Sequence, residues 1–401
     1  MANVSSSNGL EKRPKLRFPG FDEPWKAIHL SDVGEASSGF GFPDAYQGEE
    51  TSEIPFYKVS DMNLPKNTKI MQQSNNYVSQ STAKKLRVRP FSENAIVFAK
   101  VGAAISHERK RIALSPFLID NNMMAFTPKQ KEDLEFIYHL FQKIKLSKYS
   151  QVGALPSYNA SDILDIRTFY PTSGNERKKI VTILNLVDNR IGKQSEIITN
   201  LKKYKRGLLS DLFGEKLTQE WTTSRHYFSE IAQRRGEKYD PSSGIEYPCV
   251  ELENIEQETG KILATVPSIE QGSIKNMAKS GDTLFGKLRP YLRKYAFAQQ
   301  TMVCSSEIWA LIPSDVVLPK FLFYLVQTEQ FLRVANISSG TKMPRAEWSN
   351  IEKAEFHIPD LPVQRKVVSL LEGMDRRIAF ADSMLICLNR LKASLLQQLF
   401  I

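Results

Sequence analysis

The stretch KKIVTILNLVDNRIGKQSEIITNLKKYKRGLLSDLF (Lys178–Phe213) recurs 187 residues later as RKVVSLLEGMDRRIAFADSMLICLNRLKASLLQQLF (Arg365–Phe400). The two copies share 12 identities in 36 positions, whereas chance would give about two. The spacing is too long for a solenoid, whose units repeat every 20–50 residues. The sequence therefore predicts two duplicated halves, each a globular region followed by a long helix.

Apolar residues in both copies follow alternating steps of four and three residues. A seam with this mean period of 3.5 residues, kept over more than four heptads, is typical of helices that pair as a coiled coil. Neither copy contains proline. We therefore predict that the two helices pack together through the following apolar seam residues: Ile180, Leu184, Val187, Ile191, Leu201, Leu208, Leu212, Val367, Leu371, Met374, Ile378, Leu385, Leu388, Leu395 and Leu399.

Two lysines, Lys205 and Lys392, occupy the same seam position in the two copies. One interpretation is that their long side chains extend to solvent at a frayed end of the pair. The other is that they set the register, because one polar seam residue penalises slipped pairings. The sequence alone leaves both interpretations open.

The globular regions repeat more faintly. Their short β-branched and aromatic runs predict strands, and FIYHLFQ (136–142) and FLFYLVQ (321–327) predict short helices. Each half is therefore expected to be an α+β domain. The corresponding pairs of segments are IPFYKVSDM (54–62) with YPCVELENI (247–255), IVFAKVG (96–102) with TLFGKLR (283–289), and MAFTP (124–128) with WALIP (309–313).

The length of 401 residues fits two domains of roughly 150 residues each, plus the helices. The polar residues 1–20 have no apolar signal region, which predicts a disordered tail. We then expect a first domain over 21–172, a first helix over 173–214, a second domain over 215–361 and a second helix over 362–401.

The cysteines indicate a compartment. Cys249, Cys304 and Cys387 are odd in number and widely spaced, which favours a reducing environment without a disulfide framework. No uninterrupted apolar run approaches 18 residues, so no membrane span and no membrane partner are expected. These features predict a cytoplasmic protein.

The net charge of +10 is held almost entirely by the first half. Residues 1–214 contain 31 Lys and Arg against 22 Asp and Glu, whereas residues 215–401 contain 23 against 22. A basic surplus favours a polyanionic partner, and local basic clusters between strand-like segments of both halves favour phosphate contact. The clustered candidates are Lys84, Lys85, Arg87, Arg89, Arg109, Lys110, Arg111, Arg234, Arg235, Lys287, Arg289, Arg293, Lys294, Lys342 and Arg345.

Motifs for covalent chemistry are absent from the sequence. The run Gly281–Lys287 resembles a phosphate loop, but Leu288 stands where a Ser or Thr would ligate magnesium. The histidines are scattered and form no zinc pattern. We therefore expect no catalytic residues, no metal site and no cofactor bound by this chain.

Several motifs together resemble the specificity (S) subunits of type I restriction–modification systems, over residues 16–401. The motifs that carry this resemblance are RFPGFDEPW (17–25) with its echo Gln219-Glu220-Trp221, GDTLFGKLRPYLRKYAF (281–297), SSGTKMPRAEW (338–348), and the LLxxLF ending of both helices (208–213 and 395–400). The opening motif alone is weakly specific, but the set in this order is strongly specific.

The resemblance implies two target recognition domains, each of which reads one half of a split, asymmetric sequence in double-stranded DNA. It also implies that the two helices pack as an antiparallel coiled coil between the domains. Two modification subunits would dock on this framework and carry out adenine methylation with S-adenosylmethionine, and motor/nuclease restriction subunits would join for cleavage. This chain would be a non-catalytic subunit.

One loop departs between the halves. Residues 340–344 read GTKMP, whereas residues 153–156 read GALP and carry no positive charge. If the loop contacts DNA in both halves, the contacts would come from Thr341 and Lys342 in the second half and from Ser157 or Tyr158 in the first.

Two other classes of protein compete with this hypothesis. A stand-alone DNA-modifying enzyme would need the catalytic motifs that the sequence lacks. A coiled-coil adaptor without DNA contact would leave the basic clusters unexplained.

Overall fold

The computed structural model describes residues 13–151, 155–337 and 343–401. The chain divides into two compact units. Unit 1 comprises Met1–Lys193 and Leu385–Ile401, and unit 2 comprises Gln194–Met384. Each unit thus contains one globular domain and a segment of both long helices.

Unit 1 is an α+β unit. Its strands are β1 (Lys26–His29), β2 (Gly34–Ser38), β3 (Ile54–Tyr57), β4 (Tyr77–Val78), β5 (Ala95–Ala99), β6 (Lys110–Ala113), β7 (Leu118–Ile119), β8 (Met123–Pro128) and β9 (Arg167–Tyr170). Its helices are α1 (Leu30–Val33), α2 (Gln80–Lys85), α3 (Leu134–Lys143), α4 (Ala160–Leu164) and the first part of α5 (Gly174–Phe213). The strands form sheets in the orders β2-β8-β5-β6, β4-β3-β7 and β1-β9.

Strand β5 forms the centre of this unit because both of its faces are buried. Ile96 and Phe98 point to the cluster that contains Phe136 and Phe141 of α3, whereas Val97 lies in a separate cluster on the opposite face. This arrangement follows from the alternation of side chains along a strand. A run of five buried apolar residues thus holds the helix layer and the smaller sheet together.

The N-terminal segment packs on unit 1. Residues 13–20 belong to the stretch for which the sequence predicted a disordered tail, yet Leu16 N donates a hydrogen bond to Gln398 O at 2.9 Å. The Arg17 guanidinium forms an ion pair with Glu176 at 2.8 Å, and the Glu176 side chain is only 2% exposed. A buried carboxylate needs such a partner, so this part of the segment is held against the helix.

Unit 2 repeats the architecture. Its strands are β10 (Thr223–Tyr227), β11 (Ala232–Arg234), β12 (Lys238–Tyr239), β13 (Pro248–Val250), β14 (Val266–Pro267), β15 (Lys275–Ala278), β16 (Thr283–Gly286), β17 (Tyr295–Phe297), β18 (Met302–Cys304), β19 (Ile308–Pro313) and β20 (Glu355–Pro359). Its helices are the last part of α5, α6 (Glu215–Glu220), α7 (Phe228–Ile231), α8 (Pro319–Leu325), α9 (Glu329–Ala335), α10 (Trp348–Ile351) and the first part of α11 (Leu361–Leu399).

The sheets of the two units correspond strand by strand. The orders in unit 2 are β11-β19-β16-β17, β12-β15-β18-β13-β14 and β10-β20. The parallel pair β3 and β7 has its counterpart in the parallel pair β13 and β18, and unit 2 extends that sheet by β15 and β12. The predicted segment pairs therefore occupy equivalent places, and the predicted α+β repeat is confirmed.

Segments of the two long helices pack antiparallel in unit 1. Ile180 and Leu184 of α5 share an apolar cluster with Leu399 of α11. Further along α5, Asp188 Oδ1 lies 2.6 Å from Lys392 Nζ. The direction is antiparallel because a later residue of α5 meets an earlier residue of α11.

The same geometry recurs in unit 2. Phe213, at the end of α5, shares an apolar cluster with Val367, near the start of α11. Lys205 Nζ lies 2.6 Å from Asp375 Oδ1. This ion pair is the repeat equivalent of the one in unit 1, since Asp188 and Asp375 are also 187 residues apart.

Both seam lysines are thus paired with an aspartate. The side chains of Lys205 and Lys392 are 8% and 20% exposed, so the interpretation that they extend to solvent is wrong. Their burial has a physical reason, because each ammonium group finds a carboxylate on the opposite helix. That the pairs set the register stays a prediction.

The apolar seam is buried most completely where a domain covers it. Residues in the middle of the helices, such as Ile191, Leu201, Leu385 and Leu388, are only half-buried. The fully buried seam residues are Ile180, Leu184, Val187, Val367, Leu371, Met374, Ile378 and Leu399. Leu208, Leu212 and Leu395 are half-buried, while the neighbours Leu209 and Leu396 are buried instead. Within the described residues, no helix is long and apolar enough to cross a membrane.

Candidate nucleic-acid interface

Unit 2 has an open cleft of about 510 Å³ beside β11 and β19. It is formed where the end of β11, the middle of β19 and the start of α10 meet. The described residues that line the cleft include no aspartate or glutamate. They are Ser229, Ala232, Gln233, Arg234, Arg235, Gly236, Lys238, Asn276, Lys287, Ser306, Trp309, Ala310 and Trp348. The cleft is therefore positively charged and suited to an anionic partner.

Arg234 is held between two indole rings at this cleft. Its guanidinium carbon lies 4.9 Å from the ring centroid of Trp348 and 5.9 Å from that of Trp309. The two indoles contact each other edge to face, with centroids 5.6 Å apart. The attraction of a cation to an aromatic face fixes the guanidinium plane, while the side chain as a whole stays exposed.

Arg235 has a different role from its neighbour. Its Nε and Nη2 donate hydrogen bonds to the two oxygens of Asp282 at 2.6 and 2.8 Å. The hydrogen bonds with Asp282 raise the pKa of Arg235 above its ordinary value. Asp282 is 2% exposed, and a buried carboxylate needs this partner. Arg235 is thus a structural member of the cleft wall rather than a free cation.

The cationic hairpin after β16 divides into paired and unpaired side chains. Arg293 forms an ion pair with Glu329 at 2.6 Å, and the hydrogen bond to Glu329 raises the pKa of Arg293. Lys294 Nζ donates to Leu252 O at 2.6 Å. Lys287 lines the cleft, and Arg289 is exposed with a φ of 52°.

Three other predicted contacts of unit 2 lie outside this cleft. Arg345 is paired with Glu307 at 3.0 Å. Thr341 and Lys342 fall outside the described residues. The structure thus brings Arg234, Arg235 and Lys287 together at one site and leaves the remaining predicted cations of this unit around it.

In unit 1, the predicted cluster after α2 is exposed. Lys84, Lys85, Arg87 and Arg89 all reach solvent, and Arg87 adopts a φ of 58°. This left-handed backbone turns the chain sharply after the helix. The four side chains are therefore available to a polyanion, and their DNA contact stays a prediction.

The prediction that Lys110 contacts DNA is wrong. The side chain is 2% exposed and forms an ion pair with Glu108 at 2.5 Å. Burial lowers the pKa of Lys110, and Glu108 opposes this shift. The Lys110 ammonium also donates to Ile144 O at 3.0 Å. Its donors are directed into the domain because β6 is packed under α3.

Two further candidates of unit 1 are engaged by the protein itself. Tyr158 is buried, and its hydroxyl donates a hydrogen bond to Ala99 O, so its predicted contact with DNA is also wrong. Arg111 Nε donates to Asn67 O at 2.6 Å, and burial lowers the pKa of Arg111. Arg109 and Ser157 are half-buried, and their roles stay predictions.

Sequence reasoning missed several side chains of the cleft. Trp309 and Trp348 carry no charge, so a search for basic clusters passes over them. Lys238 and Asn276 come from strands that only the fold brings to the site. In unit 1, Lys100 corresponds to Lys287 in the repeated segments, and that alignment could have found it.

The described residues offer little for covalent chemistry. Within ranges 13–151, 155–337 and 343–401, no group of three His, Cys, Asp or Glu side chains could hold a metal ion. Burial raises the pKa of Cys249 to about 11 and that of Cys304 to about 12, so neither thiol is activated. The phosphate-loop-like run ends on β16 and is followed by a hairpin, not by a long helix.

Comparison with known families decides the identity of the chain. Residues 22–203 and 235–385 match the type I restriction modification DNA specificity domain. These two matches cover most of the chain. The chain belongs to this family. The resemblance inferred from the motifs is therefore confirmed, and two copies of the family domain account for the repeat.

Relatives in the family are similar over almost the full chain. The EcoDI specificity subunit of a type I restriction enzyme from Escherichia coli is 22% identical over 397 residues, which cover 90% of this chain and 82% of the relative. The MjaIX specificity subunit from Methanocaldococcus jannaschii is 21% identical over 414 residues, which cover 94% of this chain and 92% of the relative.

Solved structures of this family share the fold. The S subunit of a type I restriction-modification system from M. genitalium superposes with a TM-score of 0.55 at 14% identity and covers 97% of this chain and 99% of that one. A chain from a study of complex assembly and conformational transition of the type I system gives a TM-score of 0.56 at 15% identity, with coverage of 96% and 99%.

Proposed function

We propose that this chain, as the DNA-specificity subunit of a type I restriction–modification complex, reads a split and asymmetric target with its two units. The observation that carries the proposal is the combination of one repeated scaffold with two different surfaces. The sheets correspond strand by strand, but the position of Arg234 on β11 is taken by Ala36 on β2. Two equal scaffolds with unequal contact surfaces suit two different half-sequences.

The long helices support a second part of the proposal, which is that they set the spacing and bind the modification subunits. Several large apolar side chains on them face solvent. The exposed fractions are 60% for Leu186, 70% for Phe380, 52% for Ile386 and 47% for Leu391. Exposed apolar side chains of this kind favour a protein partner. We propose that this partner carries S-adenosylmethionine and the adenine-methylating residues, and that restriction subunits join it.

Methylation mapping tests the proposed function directly. Co-expression with the modification subunit is expected to methylate adenines in one split DNA sequence. Exchange of residues 21–172 for the equivalent domain of a relative should change one half of that sequence and leave the other half intact, since separate units hold the contacts.

The competing classes give different results in simple binding measurements. Titration of S-adenosylmethionine into the isolated chain should show no binding, and clear binding would favour a stand-alone enzyme. Gel retardation of random duplex by the complex at low salt should be observed, and its absence would favour an adaptor. A change in both halves of the target after exchange of one domain would contradict the proposal that each unit reads one half.

Lys287 is expected to contact a DNA phosphate. The Lys287→Ala variant should bind all sequences more weakly, and the slope of the logarithm of affinity against the logarithm of salt should fall by about 0.9. Lys353→Ala is the matched control, because Lys353 is exposed and does not line the cleft. Fluorescence anisotropy at several salt concentrations measures both slopes. Equal slopes for the variant and the unsubstituted protein would show that Lys287 does not contact a phosphate.

A further inference from the structure

Arg234 differs from the other predicted DNA-contacting arginines of the cleft region because its hydrogen-bond donors are free. Arg235 is satisfied by Asp282, and Arg345 is paired with Glu307. For Arg234, the described residues provide two aromatic faces but no carboxylate. Its N–H groups are therefore available to an outside acceptor.

The two indoles also preorganise this side chain. A free arginine loses roughly 2 kcal/mol of rotamer entropy when it is immobilised, which weakens any contact that it makes. Here, contacts with Trp309 and Trp348 fix the guanidinium plane before a partner binds, at centroid distances of 5.9 and 4.9 Å. A planar fork held in one orientation suits an acceptor pair of fixed geometry better than it suits a single diffuse charge.

The other cations of the cleft are placed to accompany such a contact. Lys287 and Lys238 line the same cleft, and neither forms an ion pair among the described residues. The Lys238 ammonium instead donates a hydrogen bond to Asn276 Oδ1. Lysine acts as a point charge and serves phosphate contact, so these two lysines can hold the backbone while Arg234 meets a base.

We propose that Arg234 reads a guanine in the half-target of unit 2, and this inference rests on the proposed function. In the major groove, guanine presents the O6 and N7 acceptors side by side, and a bidentate arginine is the commonest specific contact to this edge. A guanine is preferred to adenine at that position because adenine presents a donor where guanine has O6.

The register of the sheets shows that unit 1 has no equivalent reader. Arg234 lies opposite Leu311 in the pairing of β11 with β19, and Ala36 lies opposite Phe126 in the corresponding pairing of β2 with β8. Alanine has no hydrogen-bonding side chain. The guanine requirement therefore belongs to one half of the target only.

The experiment is methylation mapping of the complete methyltransferase complex with Arg234→Lys and Arg234→Ala. Both variants are expected to relax the preference for guanine at one position of the unit 2 half-target by about 10-fold or more. The unit 1 half-target should stay unchanged. Arg234→Lys keeps the positive charge but loses the bidentate fork, and it provides a second measurement if the alanine variant assembles poorly.

Arg225→Ala is the matched control. Arg225 is an exposed arginine of the same unit, paired with Glu355 at 3.3 Å, and it does not line the cleft. Its variant should keep the original base preference. A uniform loss of methylation on all sequences by the Arg234 variants, with an unchanged preference, would overturn the inference and make Arg234 a phosphate contact. Unchanged methylation would also overturn it. Failure of the unsubstituted complex to methylate any split sequence would overturn both this inference and the proposed function.

Discussion

Replacing Asp375 with alanine is expected to lower the free energy of unfolding by about 3 kcal/mol, because it leaves a buried ammonium group without its partner. The Lys205 side chain is 8% exposed, and its Nζ lies 2.6 Å from Asp375. The remaining acceptor near Lys205 Nζ is Gln327 Oε1 at 3.3 Å. Tyr324 would also lose its hydrogen bond to Asp375, which is 2.7 Å long.

A surface ion pair of the same unit provides the control. Arg225 and Glu355 are 65% and 42% exposed and lie 3.3 Å apart, so Glu355→Ala should change the stability by less than about 1 kcal/mol. Urea denaturation of both variants measures the two effects. Equal losses of stability would contradict a special role for the buried pair.

A double variant separates burial from specific pairing. Lys205→Met with Asp375→Leu removes both charges and should recover most of the stability that Asp375→Ala loses, since apolar replacement of a buried ion pair is often neutral or stabilising. If the pairs set the register of the helices, this stable variant should recognise its DNA target with a less strictly defined spacer. A single unchanged spacer would show that the apolar seam alone sets the register.

Insertion of four residues into both long helices is expected to lengthen the DNA spacer by one or two base pairs. The insertions belong after Lys193 and after Met384, because the two compact units meet the chain there and each unit keeps its own contacts. Four helical residues add roughly 6 Å, which corresponds to nearly two base pairs at about 3.4 Å each. The added rotation is about 400°, so the units return to within roughly 40° of their original orientation.

Insertion of two residues at the same positions is the matched control. It adds only about 3 Å but rotates the following segment by roughly 200°, which would turn one contact surface away from the DNA. We therefore expect methylation to be lost in this variant and retained, with a longer spacer, in the four-residue variant. Methylation mapping measures both. An unchanged spacer in the four-residue variant would show that the helices do not set the distance.

The sequence by itself determined the duplicated α+β architecture and the helix seam. Both depend on local periodicity, since a 3.5-residue apolar repeat favours a paired helix whatever surrounds it. The seam positions Leu184 and Leu371, for example, are completely buried. The family was also accessible from the sequence, because short motifs kept their order along the chain.

The tertiary structure alone decided which charged residues are free. Lys110 and Arg111 are adjacent in a basic run, yet one is buried with Glu108 and the other donates to Asn67 O. Arg234 and Arg235 are also adjacent, and only the second meets a carboxylate, which comes from a residue 47 positions away. Charge in a sequence is local, but the availability of a charge depends on partners that folding brings from distant segments.

The cleft around Arg234 depends on the fold for the same reason. Its two indoles, from Trp309 and Trp348, lie on β19 and α10 and are far from Arg234 along the chain. Neither residue type nor spacing indicates that they enclose a guanidinium. The contacts of the seam lysines Lys205 and Lys392 were equally hidden, because a residue on one helix finds its partner only when the antiparallel packing fixes which turn of the other helix lies opposite.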